Sequence, residues 1–123
     1  MVNLLLLLIT IAQASDVYEV CMLKNQLWSE RRQQFETTST ATFYSYEPIQ
    51  FIVHEKSIEI NRDKRQVTKI FEQNGKKCWR EHDNSFFCYD DLNDRFEWEF
   101  HKRNGDVTRD LLFVCALNGE PLD

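Results

Sequence analysis

Two Asn-Gly dipeptides, at residues 74–75 and 104–105, each follow a segment in which strand-forming residues alternate with polar ones. Asn and Gly both tolerate the positive φ that a two-residue type I′ turn requires, so each dipeptide predicts a tight β-hairpin. The predicted cross-strand pairs are apolar on both sides: Phe71 with Cys78 and Ile70 with Trp79 in the first hairpin, Phe96 with Phe113 and Trp98 with Leu111 in the second. Antiparallel strands are therefore the expected main element.

Most of the chain repeats this arrangement of short extended segments separated by turn signals. Strands are predicted at 17–23, 42–46, 49–55, 57–61, 66–73, 76–81, 85–90, 95–102 and 106–117. Short strands at such regular spacing are typical of all-β barrels and sandwiches. We predict a mainly β fold, an antiparallel meander of about seven to nine strands that forms a small barrel or sandwich.

Residues 24–36, with the sequence KNQLWSERRQQFE, are the exception to the strand pattern. Leu27, Trp28, Arg31 and Phe35 share one face at helical spacing, and other charged or amide residues occupy the rest. The Ser and Thr residues of 37–42 compete with a helical backbone and would end the helix. We predict one N-terminal helix over 24–36.

The first fourteen residues, MVNLLLLLITIAQA, end in Ala-Gln-Ala behind a short apolar run. The run is shorter than the roughly 20 apolar residues that span a bilayer, whereas the small-residue ending is typical of a signal-peptide cleavage site. A buried element of the mature fold is the alternative. We predict a signal peptide at 1–14, a single β-rich domain at 15–123, a secreted or periplasmic location, and no membrane span after cleavage.

Four cysteines, all beyond the predicted signal peptide, indicate two disulfides in an exported chain. A three-residue loop at 82–84 would place Cys78 directly opposite Cys88, close enough for a bond. Cys21 would then pair with Cys115 and tie the first strand to the last. The pairing of Cys21 with Cys78 and of Cys88 with Cys115 is the main alternative, and four buried free thiols is another.

Residues 58–69 and 98–109 share a pattern, because Glu59, Val67 and Thr68 recur as Glu99, Val107 and Thr108. Each copy predicts a strand, a charged turn and a second strand that begins with Val-Thr. A duplicated hairpin and convergence on one β pattern are both compatible with so few identities.

Composition and motifs argue against several functions. The net charge of −5 disfavours nucleic acid and anionic membrane surfaces, which attract basic faces. The three histidines, His54, His82 and His101, lack metal-ligand spacing, and Asp90, Asp91 and Asp94 lack the calcium-loop pattern. No Gly-x-Ser-x-Gly, Cys-x-x-Cys or glycine-rich phosphate loop occurs. We therefore expect no enzyme, no metal and no cofactor.

Recognition of another molecule is the function that the sequence favours. Tyr and Trp are enriched in contact patches, and basic hairpin turns can steer an acidic partner. We expect an exported, non-enzymatic binding or inhibitor-like module, with an extracellular or periplasmic protein as a possible partner. The candidate binding residues are aromatic residues expected to be exposed and basic residues of predicted turns: Trp79, Tyr89, Tyr44, Tyr46, Arg103 and Arg62.

Two alternatives stay open. One is a small apolar-ligand carrier of lipocalin-like type, whose barrel mouth would be lined by Phe51, Phe71, Trp98 and Phe100. An apolar cavity above about 300 Å³ would favour that carrier, whereas small barrels usually fill their interior with side chains. The other alternative is a hydrolase whose site no motif reveals.

Overall fold

A computed structural model describes residues 15–43, 48–81 and 85–122, and all their regular structure is β-strand. The strands, in chain order, are β1 (Asp16–Ser29), β2 (Gln34–Thr42), β3 (Ile49–Val53), β4 (Ser57–Ile60), β5 (Asp63–Gln66), β6 (Lys69–Gln73), β7 (Lys76–Arg80), β8 (Ser85–Asp90), β9 (Arg95–His101), β10 (Val107–Leu117) and β11 (Glu120–Pro121). Together they form one antiparallel sheet curved into a half-barrel, which confirms the mainly β prediction.

The order of strands across the sheet is β5-β4-β3-β1-β10-β9-β8-β7-β6, with β2 added to β1 and β11 to β10. Strand β1 is long enough to serve two neighbours on one side. Its first part, Asp16–Val20, pairs with β3, and its second part, Met22–Ser29, pairs with β2. The two ends of the sheet are β5 and β6, which are joined by Val67 and Thr68 alone, so the two edges of the half-barrel lie close together at this connection.

The helix predicted over 24–36 is wrong, because these residues form the end of β1, a turn and the start of β2. Trp28 lies directly opposite Phe35 in this hairpin, and their ring centroids are 5.1 Å apart. Two residues seven positions apart can meet across a hairpin turn, just as they can on one face of a helix. The spacing alone therefore does not distinguish the two structures. Pairing of β1 with strands on both sides overrides the local helical preference.

The Asn74-Gly75 hairpin has the predicted register, because both residues adopt positive φ, 53° and 78°. The second hairpin differs by one residue: Phe96 lies opposite Leu112 and Trp98 opposite Asp110. There the turn is a three-residue loop, 103–105, which the Lys102 N–H closes by donating to the Asp106 carbonyl oxygen at 2.8 Å. Of its Asn-Gly pair only the glycine has positive φ, so the extra residue shifts the register.

The two similar segments do not form equivalent hairpins. In the first, Asn61 and Arg62 make a two-residue turn between β4 and β5, both with positive φ. Val67 and Thr68 follow β5 instead of opening a strand, whereas their counterparts at 107–108 begin β10. The shared pattern therefore predicts strands and turns but not equivalent positions in the sheet.

The core fills the concave side of the half-barrel, which we call the inner face. Its buried members are Val20, Phe51, Ile58, Trp79, Phe87, Phe96, Leu112 and Val114. Phe51 stacks on Phe96, with ring centroids 4.6 Å apart, and meets the edge of Phe87 at 5.7 Å. Aromatic rings from β3, β8 and β9 therefore contact one another within the core.

Both predicted disulfides are confirmed. Cys78 and Cys88 face each other on β7 and β8 with Cα atoms 4.0 Å apart. Cys21 and Cys115 join β1 to β10 with Cα atoms 5.9 Å apart, at an irregularity in the strand register. Two disulfides are consistent with an oxidising, extracellular-type environment.

Candidate functional site

A cavity of about 340 Å³ opens on the inner face, where β1 and β3 approach β6, β7 and β8. Four of its lining residues, Tyr18, Val53, Trp79 and Tyr89, present apolar or aromatic surface. Each lies in a strand position whose side chain points inward, because alternate residues of a strand face the same side. We call this space the tyrosine cavity.

Phe96 supports the aromatic wall of the tyrosine cavity from behind. It is fully buried, and its ring centroid lies 4.9 Å from that of Tyr18 and 4.9 Å from that of Tyr89. Tyr18 and Tyr89 also contact each other, with centroids 5.2 Å apart, and Trp79 lies 6.3 Å from Phe96. Tilted and edge-to-face contacts of this kind hold rings in place, so the wall is ordered before any ligand arrives.

Charged residues complete the cavity lining. Asp16, Glu72 and Asp91 contribute carboxylates, and Lys77 contributes the single cation. The Lys77 ammonium lies 5.4 Å from the centroid of the Trp79 ring, within the range of a cation–π interaction. The cavity therefore has an excess of negative charge and already places one ammonium over its indole.

The two tyrosines of the cavity stay neutral well above physiological pH. Burial raises the pKa of Tyr18, and the nearby carboxylate of Asp16 raises it further. Burial also raises the pKa of Tyr89 to about 12, with further contributions from Asp94 and Asp91. Both phenols can thus donate hydrogen bonds, and part of each shift reflects a negative local potential.

We expect the protein to lose stability in alkali as Tyr89 ionises. The folded pKa of about 12 exceeds the ordinary value of 10.0, so the folded state binds more protons between these values. The free energy of unfolding should therefore fall as the pH rises from about 10 to about 12. Subtracting the tyrosinate absorbance of a Tyr89→Phe variant from that of the wild type isolates the Tyr89 titration. A midpoint near the ordinary value in the folded protein would contradict the expectation.

The structure brings together two of the six predicted binding residues, Trp79 and Tyr89. Trp79 is only 4% exposed, so the prediction that it is an exposed aromatic is wrong: its ring turns inward and belongs to the core. Tyr89 is half-buried. Arg62 and Arg103 are exposed in the β4–β5 turn and the β9–β10 loop, away from the cavity lining. The remaining two, Tyr44 and Tyr46, lie outside the described residues.

Tyr18 is the aromatic cavity residue that sequence reasoning missed. It lies two positions before the buried Val20 on β1, and this alternation is the signal that could have placed it on the inner face. The carboxylates carry no comparable signal, because Asp16, Glu72 and Asp91 are far apart in the chain and meet only through the sheet order.

The lining proposed for a barrel-mouth carrier does not form. Phe51 is fully buried in the core. Phe71 lies on the opposite face of the sheet, packed against the cluster of Cys78, Phe86 and Cys88. Trp98 and Phe100 contact each other on β9, with centroids 4.8 Å apart. The four residues therefore do not share one cavity.

The outer face holds a compact ion-pair network around two buried carboxylates, Asp90 and Glu97. The Lys76 ammonium lies 3.1 Å from Glu97 Oε1 and 3.8 Å from Asp90 Oδ2. Arg95 Nη2 lies 3.2 Å from Glu97 Oε2. Because each buried charge has an opposite charge beside it, the network accounts for the burial of both carboxylates without a ligand.

Asp90 also fixes the turn after β8. Its carboxylate accepts hydrogen bonds from the Leu92 N–H at 3.1 Å and from the Asn93 side-chain amide at 2.8 Å. Burial alone would raise the pKa of Asp90, but hydrogen bonds from Asn93, with the charge of Lys76, hold it below the usual value. The acidic segment at 90–94 therefore has a structural explanation. Within the described ranges, no three metal-ligating side chains are grouped to hold an ion.

A hydrogen-bonded serine–histidine–carboxylate chain runs over the outer side of β3 and β4. Ser15 Oγ lies 2.6 Å from His54 Nδ1, and His54 Nε2 lies 3.2 Å from Glu59 Oε1. Hydrolytic triads place the serine on Nε2 and the carboxylate on Nδ1, the reverse of this arrangement. Asp16 and Val53 line the tyrosine cavity, and they are the sequence neighbours of Ser15 and His54. The side chains of Ser15 and His54 therefore point to the outer face, away from the cavity.

No known protein family, curated protein or solved structure matches the chain. Among the residues that the structure describes, no helix is long and apolar enough to cross a membrane. These comparisons assign no function, and the lining of the tyrosine cavity combines three aromatic rings with charged groups.

Proposed function

We propose that the protein is an exported, non-enzymatic binding module whose recognition site is the tyrosine cavity. The observation that carries the proposal is the convergence of Tyr18, Trp79 and Tyr89 around about 340 Å³ of space that a ring-filled core leaves open. Ligand sites are typically concave, of about 300–1,000 Å³, and lined by aromatic side chains with a few polar groups.

Preorganisation supports binding at this place. Phe96 fixes the tyrosine rings, so a ligand meets a wall that needs little further ordering. Binding to an ordered surface avoids the loss of side-chain entropy that weakens flexible sites. Export is supported by the apolar leader at 1–14 and by two disulfides, which persist in oxidising compartments.

The exposed Arg62 and Arg103 suit a secondary role in this proposal. They lie in charged turns of a protein whose net charge is −5. Such basic tips can steer the approach of an acidic macromolecule and change association rates more than affinity. This contact would be separate from the ligand that enters the tyrosine cavity, whose lining is net negative.

A ligand panel tests the proposal. Cationic, neutral and anionic small molecules are screened by thermal shift and calorimetry against the oxidised mature protein and two variants. Tyr89→Ala removes one cavity wall, whereas Phe113→Ala removes a half-buried ring from the opposite face and serves as a matched control.

We expect at least one compound to bind, to lose about tenfold or more in affinity with Tyr89→Ala, and to keep its affinity with Phe113→Ala. Failure of every class to bind would overturn the proposal. So would binding that is indifferent to the loss of the Tyr89 ring.

A further inference from the structure

We propose that the tyrosine cavity selects organic cations, namely ligands that carry a protonated amine or a quaternary ammonium group. The inference rests on the proposed function and names its ligand class. Its basis is the combination, in one cavity, of an aromatic wall with three carboxylates and one ammonium.

The charge of the lining favours a cation. Asp16, Glu72 and Asp91 together carry three negative charges when ionised, and Lys77 offsets only one of them. All three carboxylates belong to exposed residues, so they remain hydrated. The Asp16 carboxylate is oriented by the Asn118 side-chain amide, which donates to its Oδ1 at 3.2 Å. An anionic ligand would meet a net negative lining, and like charges held close together cost binding energy.

The aromatic wall favours the same charge. Trp, and after it Tyr, attracts an ammonium group over the ring face, and cages of such rings recognise quaternary ammonium ligands. The Lys77 ammonium already lies 5.4 Å from the centroid of the Trp79 ring. Lys77 thus makes with the Trp79 ring the cation–π interaction that a ligand cation would make.

The tyrosines respond to the same negative charge. Burial is the largest cause of the raised pKa of both phenols, and the carboxylates of Asp16 near Tyr18 and of Asp94 and Asp91 near Tyr89 raise it further. The potential that disfavours a phenolate favours a cation at the same position. Neutral phenols also remain hydrogen-bond donors for any hydroxyl or carbonyl oxygen that the ligand carries.

Lys77 should compete with the ligand for the Trp79 ring. Replacing it by glutamine removes the internal ammonium and leaves three unopposed carboxylates in the lining. We therefore expect Lys77→Gln to tighten the binding of an organic cation, by about threefold to tenfold. A cavity that selects anions would respond in the opposite direction.

The experiment compares choline with 3,3-dimethylbutan-1-ol, its uncharged isostere, and with benzoate, by calorimetry and Trp fluorescence at low ionic strength. We expect choline to bind about tenfold or more tightly than the isostere, and benzoate to bind more weakly still. The double variant Glu72→Gln, Asp91→Asn should lower choline affinity but not that of the isostere. Both positions are exposed, so the fold should tolerate the changes.

Three outcomes would overturn the inference: equal affinity for choline and its isostere, tighter binding of benzoate, or weaker choline binding in Lys77→Gln. If neutral or anionic compounds bind and lose affinity with Tyr89→Ala, the proposed function stands and only the ligand class is wrong. If no compound of the panel binds, or if the affinity for choline is unchanged in Tyr89→Ala, both proposals fail.

Discussion

Reduction of the Cys21–Cys115 disulfide is expected to lower the free energy of unfolding by about 4–5 kcal/mol. The two cysteines are 94 residues apart, so their bond restricts the unfolded chain over most of the described length. The Cys78–Cys88 bond spans 10 residues and should contribute less than about 3 kcal/mol by the same argument. A domain of this size is typically stable by about 5–15 kcal/mol, so loss of the long bridge alone should remove from about a third to nearly all of that stability.

Two single-disulfide variants separate the two contributions. Cys78→Ala with Cys88→Ala keeps only the long bridge, and Cys21→Ala with Cys115→Ala keeps only the short one. Urea unfolding of each variant, oxidised and then reduced, compares states with the same side-chain truncations. Packing defects therefore cancel, and the remaining difference measures each bond. Equal losses in the two variants would contradict the expectation, as would a larger loss for the short bridge.

The sequence predicts the hairpins whose turns are decided by local residues. Asn74 and Gly75 both accept positive φ, and the strands they join pair as expected. Cys78 lies opposite Cys88, as expected from the three residues at 82–84 between the strands, which are outside the described residues. In both cases the number of residues between the two strands fixes their register, so the positions of distant strands need not be known.

Prediction from the sequence fails where pairing with a distant strand determines the local structure or the register. Trp28 and Phe35 have a spacing that suits a helix, yet pairing of β1 with β10 on its other side makes this segment a hairpin. The second Asn-Gly pair fails for a related reason. Leu112 is buried on the inner face and lies opposite Phe96, and a two-residue turn would have placed Phe113 there.

The tyrosine cavity was predictable only in part. Aromatic composition points to Trp79 and Tyr89 as binding residues, but not to their sharing one cavity with Tyr18. That convergence depends on the sheet order, which carries β1 and β3 across the inner face from β7 and β8. Local periodicity predicts which residues of a strand share one face. It does not predict which distant strands pack against that face.

Truncation of Phe96 is expected to cost the largest share of stability of any single core change. Its fully buried ring contacts Tyr18, Phe51 and Tyr89, with centroids between 4.6 and 4.9 Å. Phe96→Ala should lower the free energy of unfolding by about 3–5 kcal/mol, because it removes buried surface and leaves a cavity among rings that cannot collapse fully. Denaturant unfolding measures the loss.

The same substitution should loosen the wall of the tyrosine cavity, so its effect extends to ligand binding. Phe96→Leu keeps most of the volume, should fold, and should weaken binding of a cavity ligand because Tyr18 and Tyr89 lose the edge-to-face contacts that order them. Phe113→Ala, on the opposite face, should lose less stability and leave binding unchanged. If Phe96→Leu binds the ligand as tightly as the wild type does, the ring behind the tyrosines serves the core alone and does not preorganise the site.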